Sequence, residues 1–380
     1  MTGDAGEEAG LPQSPLTTIP ADLRSLADYE RRARGHMRPD IWAHIQSGAD
    51  LGKSLAANRA QFDRHRFLPT MLRDLRGGST ALDLFGQHHA APILLAPVAY
   101  HRLAHEAGEI ATIGAATALD TTMVVSTLAS LPLEDIADAA REAAASLGRE
   151  GPPPLWFQLY FQPDRDFTLH LVRRAETAGY GLLVVTVDAA IKRSDFALPP
   201  GIEAANLRAA PRVTQQASAA SGAILFGTAL AESAPTWNDI DWLRSQTRLP
   251  IVLKGLLSPG DARIARDHGV DGIIVSNHGG RVLDNLLPPL EALPRMIDAV
   301  EGDLPFLIDS GFRNGTDIVQ ALALGARAVL IGRPQLHALA VAGMPGVAHM
   351  LHILRAELEL AMAQLGCASL DQIGRHILVD

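Results

Sequence analysis

Short runs of apolar and β-branched residues recur along the chain, and the segments between them carry helical periodicity. The runs are PILLAPVA (92–99), TMVVST (122–127), LWFQLY (155–160) and GLLVVTVD (181–188), followed by PIVLKG (250–255), GIIVSN (272–277), PFLIDSG (305–311) and AVLIGRP (328–334). Their hydrophobicity is continuous rather than alternating, which suits parallel strands buried on both faces. The intervening stretches, such as DFTLHLVRRAETAG and GTDIVQALALGA, are amphipathic and several stop at glycine, as helices commonly do. Eight such repeats predict an α/β fold of the TIM (β/α)8 type. A doubly wound sheet is the alternative, but no GxGxxG follows the first strand.

Flanking segments complete the plan. Residues 21 to about 90 read as an N-terminal helical extension with a short lead-in, and VAHMLHILRAELELAMAQLG reads as a C-terminal helix packed outside the barrel. The connection after strand 4, about 189–235, is long and rich in Ala, Ser and Gln, the pattern of a lid. Thr236 is placed to cap the helix that follows it. Residues 1–20 read as a disordered tail, and 21–380 as a single domain.

Composition narrows the function. The net charge of −9 leaves no surplus of cations for a nucleic-acid backbone. A single cysteine, Cys367, excludes an intramolecular disulfide framework and a cysteine metal cluster, and makes a reducing, cytoplasmic setting the expectation. The acidic N-terminus lacks the apolar core of a signal peptide. No stretch reaches the roughly 18 uninterrupted apolar residues of a membrane span.

Barrel chemistry sits at the C-terminal ends of strands. Those ends carry Ala99, Ser126, Gln158 with Tyr160, Thr186 with Asp188, Lys254, Ser276 with His278 and Arg281, Asp309 with Arg313, and Gly332 with Arg333. Gly311 and Gly332 with Arg313 and Arg333, after strands 7 and 8, have the makings of a phosphate site. Lys254 ends an apolar run, where a cation is costly unless it meets an anion or a carbonyl. Schiff-base formation and stabilisation of charge on a cofactor ring are both open to it. His278 and Arg281 suit a base beside a two-pronged carboxylate clamp, with Asp188 orienting the imidazole.

The motifs SNHGGRVLD, TVD, WFQLY, VLKG, IDSGFRNGTDIVQALALGARAVLIGRP and LAPVAYHRLAHEAGE closely resemble the FMN-dependent 2-hydroxy-acid oxidases and dehydrogenases, from about residue 22 onward. The resemblance implies FMN as cofactor, with Asp309, Gly311, Arg313, Gly332 and Arg333 along the ribityl phosphate arm. It puts Ala99, Ser126, Gln158 and Thr186 around the isoalloxazine, Ser276 nearby and Lys254 at its N1/O2 edge, which removes the Schiff-base alternative. His278 becomes the base, Asp188 its support, Tyr160 a partner of the substrate oxygen and Arg281 the carboxylate grip. A small hydroxy-acid substrate and a homo-oligomer (tetramer or octamer) follow from the same resemblance. O2 is the expected electron acceptor, because the long fourth connection lacks the apolar and basic insertion by which membrane-bound relatives dock.

Two positions depart from the family. His44, in WAHIQSGAD, stands where an aromatic residue, often tyrosine, is usual, and becomes a candidate substrate contact. The loop after TVD is shorter, so that only Lys192 and Arg193 lie near the place of the second carboxylate-binding arginine, and Arg193 is the candidate replacement. These departures keep open an oxidase or dehydrogenase of a modified, amino-acid- or peptide-derived substrate. A non-catalytic flavin-binding protein is the last alternative. His101 and His105 have metal-like spacing, with Glu109 beyond, but no third ligand is evident and no metal is expected.

Overall fold

The computed structural model describes residues 11–190, 196–210 and 225–379. Eight parallel strands close into a barrel: β1 (Ile93–Leu95), β2 (Met123–Ser126), β3 (Leu155–Leu159), β4 (Leu182–Thr186), β5 (Ile251–Leu256), β6 (Gly272–Val275), β7 (Phe306–Ile308) and β8 (Ala328–Ile331). Each falls on one of the eight apolar runs, β5 extending one residue past its run to Leu256. Their two faces bury different cores. Leu94, Val124, Trp156, Val184, Val252, Ile274, Leu307 and Leu330 pack inside the barrel. Ile93, Leu95, Val125, Phe157, Val185 and Leu253 face the helices. Burial on both sides is why the runs do not alternate.

The N-terminal end of the barrel is closed by a hairpin that the hydrophobic pattern did not reveal. Its strands, Leu82–Leu84 and Gln87–His89, pair in register Leu82↔His89 and Leu84↔Gln87. The turn between them places Phe85 and Gly86 at φ 53° and 72°, the left-handed pair that two-residue hairpins favour. Leu82 and Leu84 join the barrel-interior core, and Phe85 packs edge-on against Trp156. The indole N–H of Trp156 donates to Gln87 Oε1 at 2.7 Å.

Three helices, α1 (Leu26–His36), α2 (Pro39–Gln46) and α3 (Lys53–Ala60), precede the barrel. α1 begins with a capping box between Ser25 and Asp28 and packs on the C-terminal helix, Arg333–Leu365. That helix is kinked at Ala342 and Gly343 and ends at Gly366 in the left-handed conformation. Among the described residues it alone is long and apolar enough to cross a membrane, yet 72% of its most apolar window is buried within the protein. Thr236 caps Trp237–Gln246 as the sequence implied, again in a capping box.

Two boundaries differ from expectation. The chain is docked ahead of residue 21: Gln13 N–H donates to Gly35 O at 2.9 Å and Leu16 N–H to Val341 O at 2.7 Å. Such backbone bonds leave no trace in composition. In the long connection, Ala205 and Asn206 are buried, and Asn206 Oδ1 accepts from Leu133 N–H at 2.9 Å and from the Arg174 guanidinium at 3.2 Å. That part of the 189–235 segment is bolted to the neighbouring helices rather than free to swing.

Candidate active site

Register sets the site. Parallel pairing places Ser126 beside Gln158 and Thr186 beside Lys254, all four at the C-terminal mouth of the barrel. A cavity of about 570 Å³ opens there and is lined by Ala99, Ser126, Tyr160, Thr186, Lys254, His278 and Arg281 on one side. Asp309, Gly311, Arg313, Gly332 and Arg333 line it toward β7 and β8, and His44 reaches it from α2. Gln158, Asp188 and Ser276 stand just behind this lining. Arg193 lies outside the described residues.

His278 ends the β6 run in an uncommon backbone state. It adopts φ 57°, and Gly279 and Gly280 follow at 67° and 73°. A non-glycine residue in the left-handed region costs on the order of 1–3 kcal/mol, strain found mostly at functional sites. Several contacts hold the turn. His278 N–H donates to Ser276 Oγ at 3.0 Å, Gly280 N–H donates to Asn277 Oδ1 at 3.0 Å, and Asn277 pairs amide to amide with Asn58 at 2.8 Å. Gly280 has to be glycine, because a Cβ there would lie 2.6 Å from the Leu55 nitrogen. The result aims the ring: His278 Nδ1 meets Asp188 Oδ1 at 2.8 Å. Burial works against the Asp188 charge, but His278 and Lys254 outweigh it and hold the carboxyl below its ordinary value.

Lys254 is buried and donates to Ser276 Oγ at 2.8 Å, with Asp309 Oδ2 at 3.0 Å. Burial disfavours its charge, yet Asp309 and Asp188 together raise its pKa above the usual value, so it is a fixed cation. Tyr160 is pushed upward by burial and by the neighbouring Asp188 and Tyr100, so its phenol is a proton donor. Arg281 makes three bonds through Nη1, to the carbonyls of His44, Ile45 and Ser47 at 2.9–3.0 Å. Its Nε and Nη2 side is left for an anion.

Arg333 completes a basic corner. It donates to Ile45 O at 2.9 Å, Ser47 O at 3.0 Å and Gly279 O at 3.1 Å. Burial and the nearby Arg281 and Arg313 lower its pKa to about 9, still above neutrality. Buried like charges of this kind are relieved by an anion.

Some neighbours were not foreseen. His44 stacks on Phe196, ring centroids 3.9 Å apart and planes at 16°. Tyr100 lines the cavity at φ 55°. Gly311 lines the cavity and is also fixed as glycine by packing: a Cβ would sit 1.9 Å from Asn58 O on α3. His101 lies on a 3-10 turn with Nδ1 on the Thr112 hydroxyl at 2.9 Å, and Glu109 accepts the backbone N–H groups of His101 and Ser130.

A closed parallel barrel brings a buried cation, a His–Asp pair and an arginine corner together at its C-terminal mouth, the makings of an anion- and cofactor-binding site, and comparison with known proteins makes it particular. Residues 33–380 match the family model described as FMN-dependent dehydrogenase. The chain is 46% identical to an L-lactate oxidase of Alicycliphilus denitrificans over 372 residues, covering 96% of this chain and 99% of that protein. It is 43% identical to a 4-hydroxymandelate oxidase of Amycolatopsis orientalis, covering 92% and 97%. A crystal structure of mandelate oxidase superposes with a TM-score of 0.80 at 39% identity, covering 94% of this chain and 98% of that one. The chain belongs to the FMN-dependent dehydrogenase family and is an FMN-dependent oxidoreductase of the 2-hydroxy-acid oxidase class.

The residues present fit the flavin. Gln158 Nε2, Thr186 Oγ1 and Asp188 Oδ2 are buried polar atoms without a hydrogen-bond partner, all at this mouth. Gln158 is turned by its own oxygen, which accepts from Ser126 Oγ and Thr127 N–H at 3.2 Å. Buried polar atoms left this way mark a missing partner. At the other end, a Cβ on the cavity-lining Gly332 would meet nothing within 4 Å, which leaves a cradle beside Arg333.

Proposed function

We propose that the protein oxidises a 2-hydroxy acid to the 2-oxo acid, with Gln158, Thr186, Lys254 and Ser126 around the flavin ring and Ala99 against it. Asp309, Gly311, Arg313, Gly332 and Arg333 serve the ribityl phosphate arm, and Ser276 acts from behind by fixing Lys254 and His278. FMN, when bound, supplies a two-electron acceptor that O2 returns to its oxidised form with release of hydrogen peroxide.

The observation that carries this reading is the His278–Asp188 pair at the cavity rim. Asp188 holds the Nδ1 side of the imidazole, and Nε2 is the nitrogen that takes a proton from the substrate in this reading. Asp188 then faces the imidazolium that results. Arg281 binds the substrate carboxylate through Nε and Nη2, and Tyr160 donates to a substrate oxygen. Lys254 holds a permanent positive charge beside the ring. His44 and Arg193 are the further substrate contacts in this reading. The test is to mix the yellow protein anaerobically with 2-hydroxy acids, then to measure peroxide and 2-oxo acid in air. Bleaching with equimolar peroxide supports the reading. Failure of every 2-hydroxy acid to bleach the flavin rejects it, and reoxidation by a quinone but not by O2 would make the protein a dehydrogenase.

A second reading keeps the chemistry and enlarges the substrate. Leu128, Phe161, Phe196 and Leu198 line the cavity together with the His44–Phe196 stack. Such walls favour an apolar or aromatic group on C2 over a methyl, and admit a modified, amino-acid-derived acid. Comparing kcat/KM for lactate and mandelate decides between them.

The same reading extends to a cytoplasmic homotetramer or octamer. Leu68, Met71 and Leu72 support association, being 56%, 68% and 104% exposed on one loop. Light scattering of the purified protein tests it.

A further inference from the structure

We propose that Glu30, on α1 outside the barrel, is a positioning residue for the phosphate grip, because it fixes the orientation of the Arg313 guanidinium. This rests on the reading of Arg313 and Arg333 as phosphate ligands. Arg313 Nε donates to Glu30 Oε2 at 3.1 Å, and Nη1 donates to Phe312 O at 3.0 Å. Its backbone N–H donates to Asp317 Oδ2 at 2.8 Å. Two edges of the fork are thereby held, and Nη2 remains for the ligand.

Glu30 is itself held. Gln46 Nε2, at the end of α2, donates to Glu30 Oε1 at 2.8 Å. The same end of α2 supplies the Ile45 carbonyl that receives Arg333, and Ser47 just beyond supplies another. The N-terminal helices therefore orient both arginines: one through a carboxylate, the other through carbonyls. His337, buried between Glu30 and the two arginines, is kept neutral by that burial and adds no cation.

A carboxylate beside Arg313 has two opposed effects on a phosphate. It aligns the guanidinium, and it subtracts from the positive field. The proposal is that alignment prevails, and variants separate the two. Glu30→Gln keeps one oxygen for Arg313 Nε, and the Gln46 amide can turn to meet its NH2. Glu30→Ala keeps neither charge nor acceptor. Glu30→Asp keeps the charge but falls one methylene short, and it replaces Glu30→Ala should that variant not fold.

The experiment titrates flavin-stripped full-length protein with FMN and with riboflavin, which lacks the phosphate, and reads the ratio of the two affinities. Glu30→Ala or Glu30→Asp should lower the preference for FMN about tenfold, the worth of one charge-assisted hydrogen bond, while riboflavin binding is unchanged. Glu30→Gln should keep the wild-type ratio. An unchanged or increased preference in Glu30→Ala, or an equal loss in Glu30→Gln, overturns the positioning role. Arg313→Gln is the control for the underlying reading. If it fails to lower the ratio, the phosphate assignment itself is wrong; if it lowers the ratio and Glu30→Ala does not, only the role of Glu30 falls.

Discussion

His278 occupies a backbone state that most residues avoid, and the contacts around it hold one ring orientation against that strain. Removing the ring should leave the flavin in place, since no part of the proposed phosphate grip depends on it. His278→Ala is expected to retain FMN but to lose substrate-driven flavin reduction by at least about 10²-fold. Stopped-flow absorbance under anaerobic conditions measures this, and a near wild-type rate removes His278 from the chemistry. Asp188→Asn should also be slow, because an amide can neither face an imidazolium with a negative charge nor fix the same tautomer. The Asp188 carboxyl is held below its ordinary pKa, so its stabilising pairing is complete above about pH 4 and is lost only as the pH falls through the depressed value. Loss of rate on mild acidification is thus to be traced to other groups. Much of this site was legible in the sequence, because ionisable residues at the ends of apolar strands have few reasons to be there. Glu30 and Phe196 were not, since each acts through a partner distant in sequence: Arg313 in one case, His44 in the other.

Elements differ in how plainly the chain announces them. The barrel strands were readable because burial on both faces makes continuous apolar runs. The hairpin at residues 82–89 was not, since LDLFGQHH mixes polar and apolar residues in two short strands and puts a phenylalanine where its turn needs φ above zero. Docking of the segment around Leu16 is likewise invisible, being carried by main-chain bonds. The contact between helix Gly315–Ala323 and the C-terminal helix offers a test at this scale. A Cβ on Gly315 would lie 2.2 Å from the Glu357 backbone, and Gly315 N–H donates to Glu357 Oε2 at 2.9 Å. Burial, and then Asp317, raise the Glu357 pKa. A raised carboxyl costs stability when ionised, from its unfolded pKa upward, and costs nothing once both states are protonated. Glu357→Gln keeps an acceptor for Gly315 and should raise Tm at pH 7. The gain should vanish as the pH drops below about 4.5, which thermal melts at the two pH values can check.

For the molecule as a whole, cofactor and fold are coupled. The orphaned Gln158 and Thr186 atoms and the crowded arginines are costs of the folded chain that, in the proposed reading, FMN relieves. Binding to the native state alone, at a hundredfold excess over Kd, stabilises by about 2.7 kcal/mol. For a chain of this length that is a rise of about 3 °C in Tm. Riboflavin at its own hundredfold excess should give the same shift only at far higher concentration. Equal shifts at equal low concentrations would mean that the β7–β8 corner contributes nothing to affinity.

The hairpin that plugs the barrel floor makes the molecule a cup with a single lip. Leu82, Leu84 and Phe85 seat against Trp156 and close the lower end, so whatever enters by the C-terminal mouth also leaves by it. Arrival and departure then share one doorway, and a lingering oxo acid keeps the next hydroxy acid waiting outside. Added product should therefore compete with substrate, raising KM while leaving kcat unchanged.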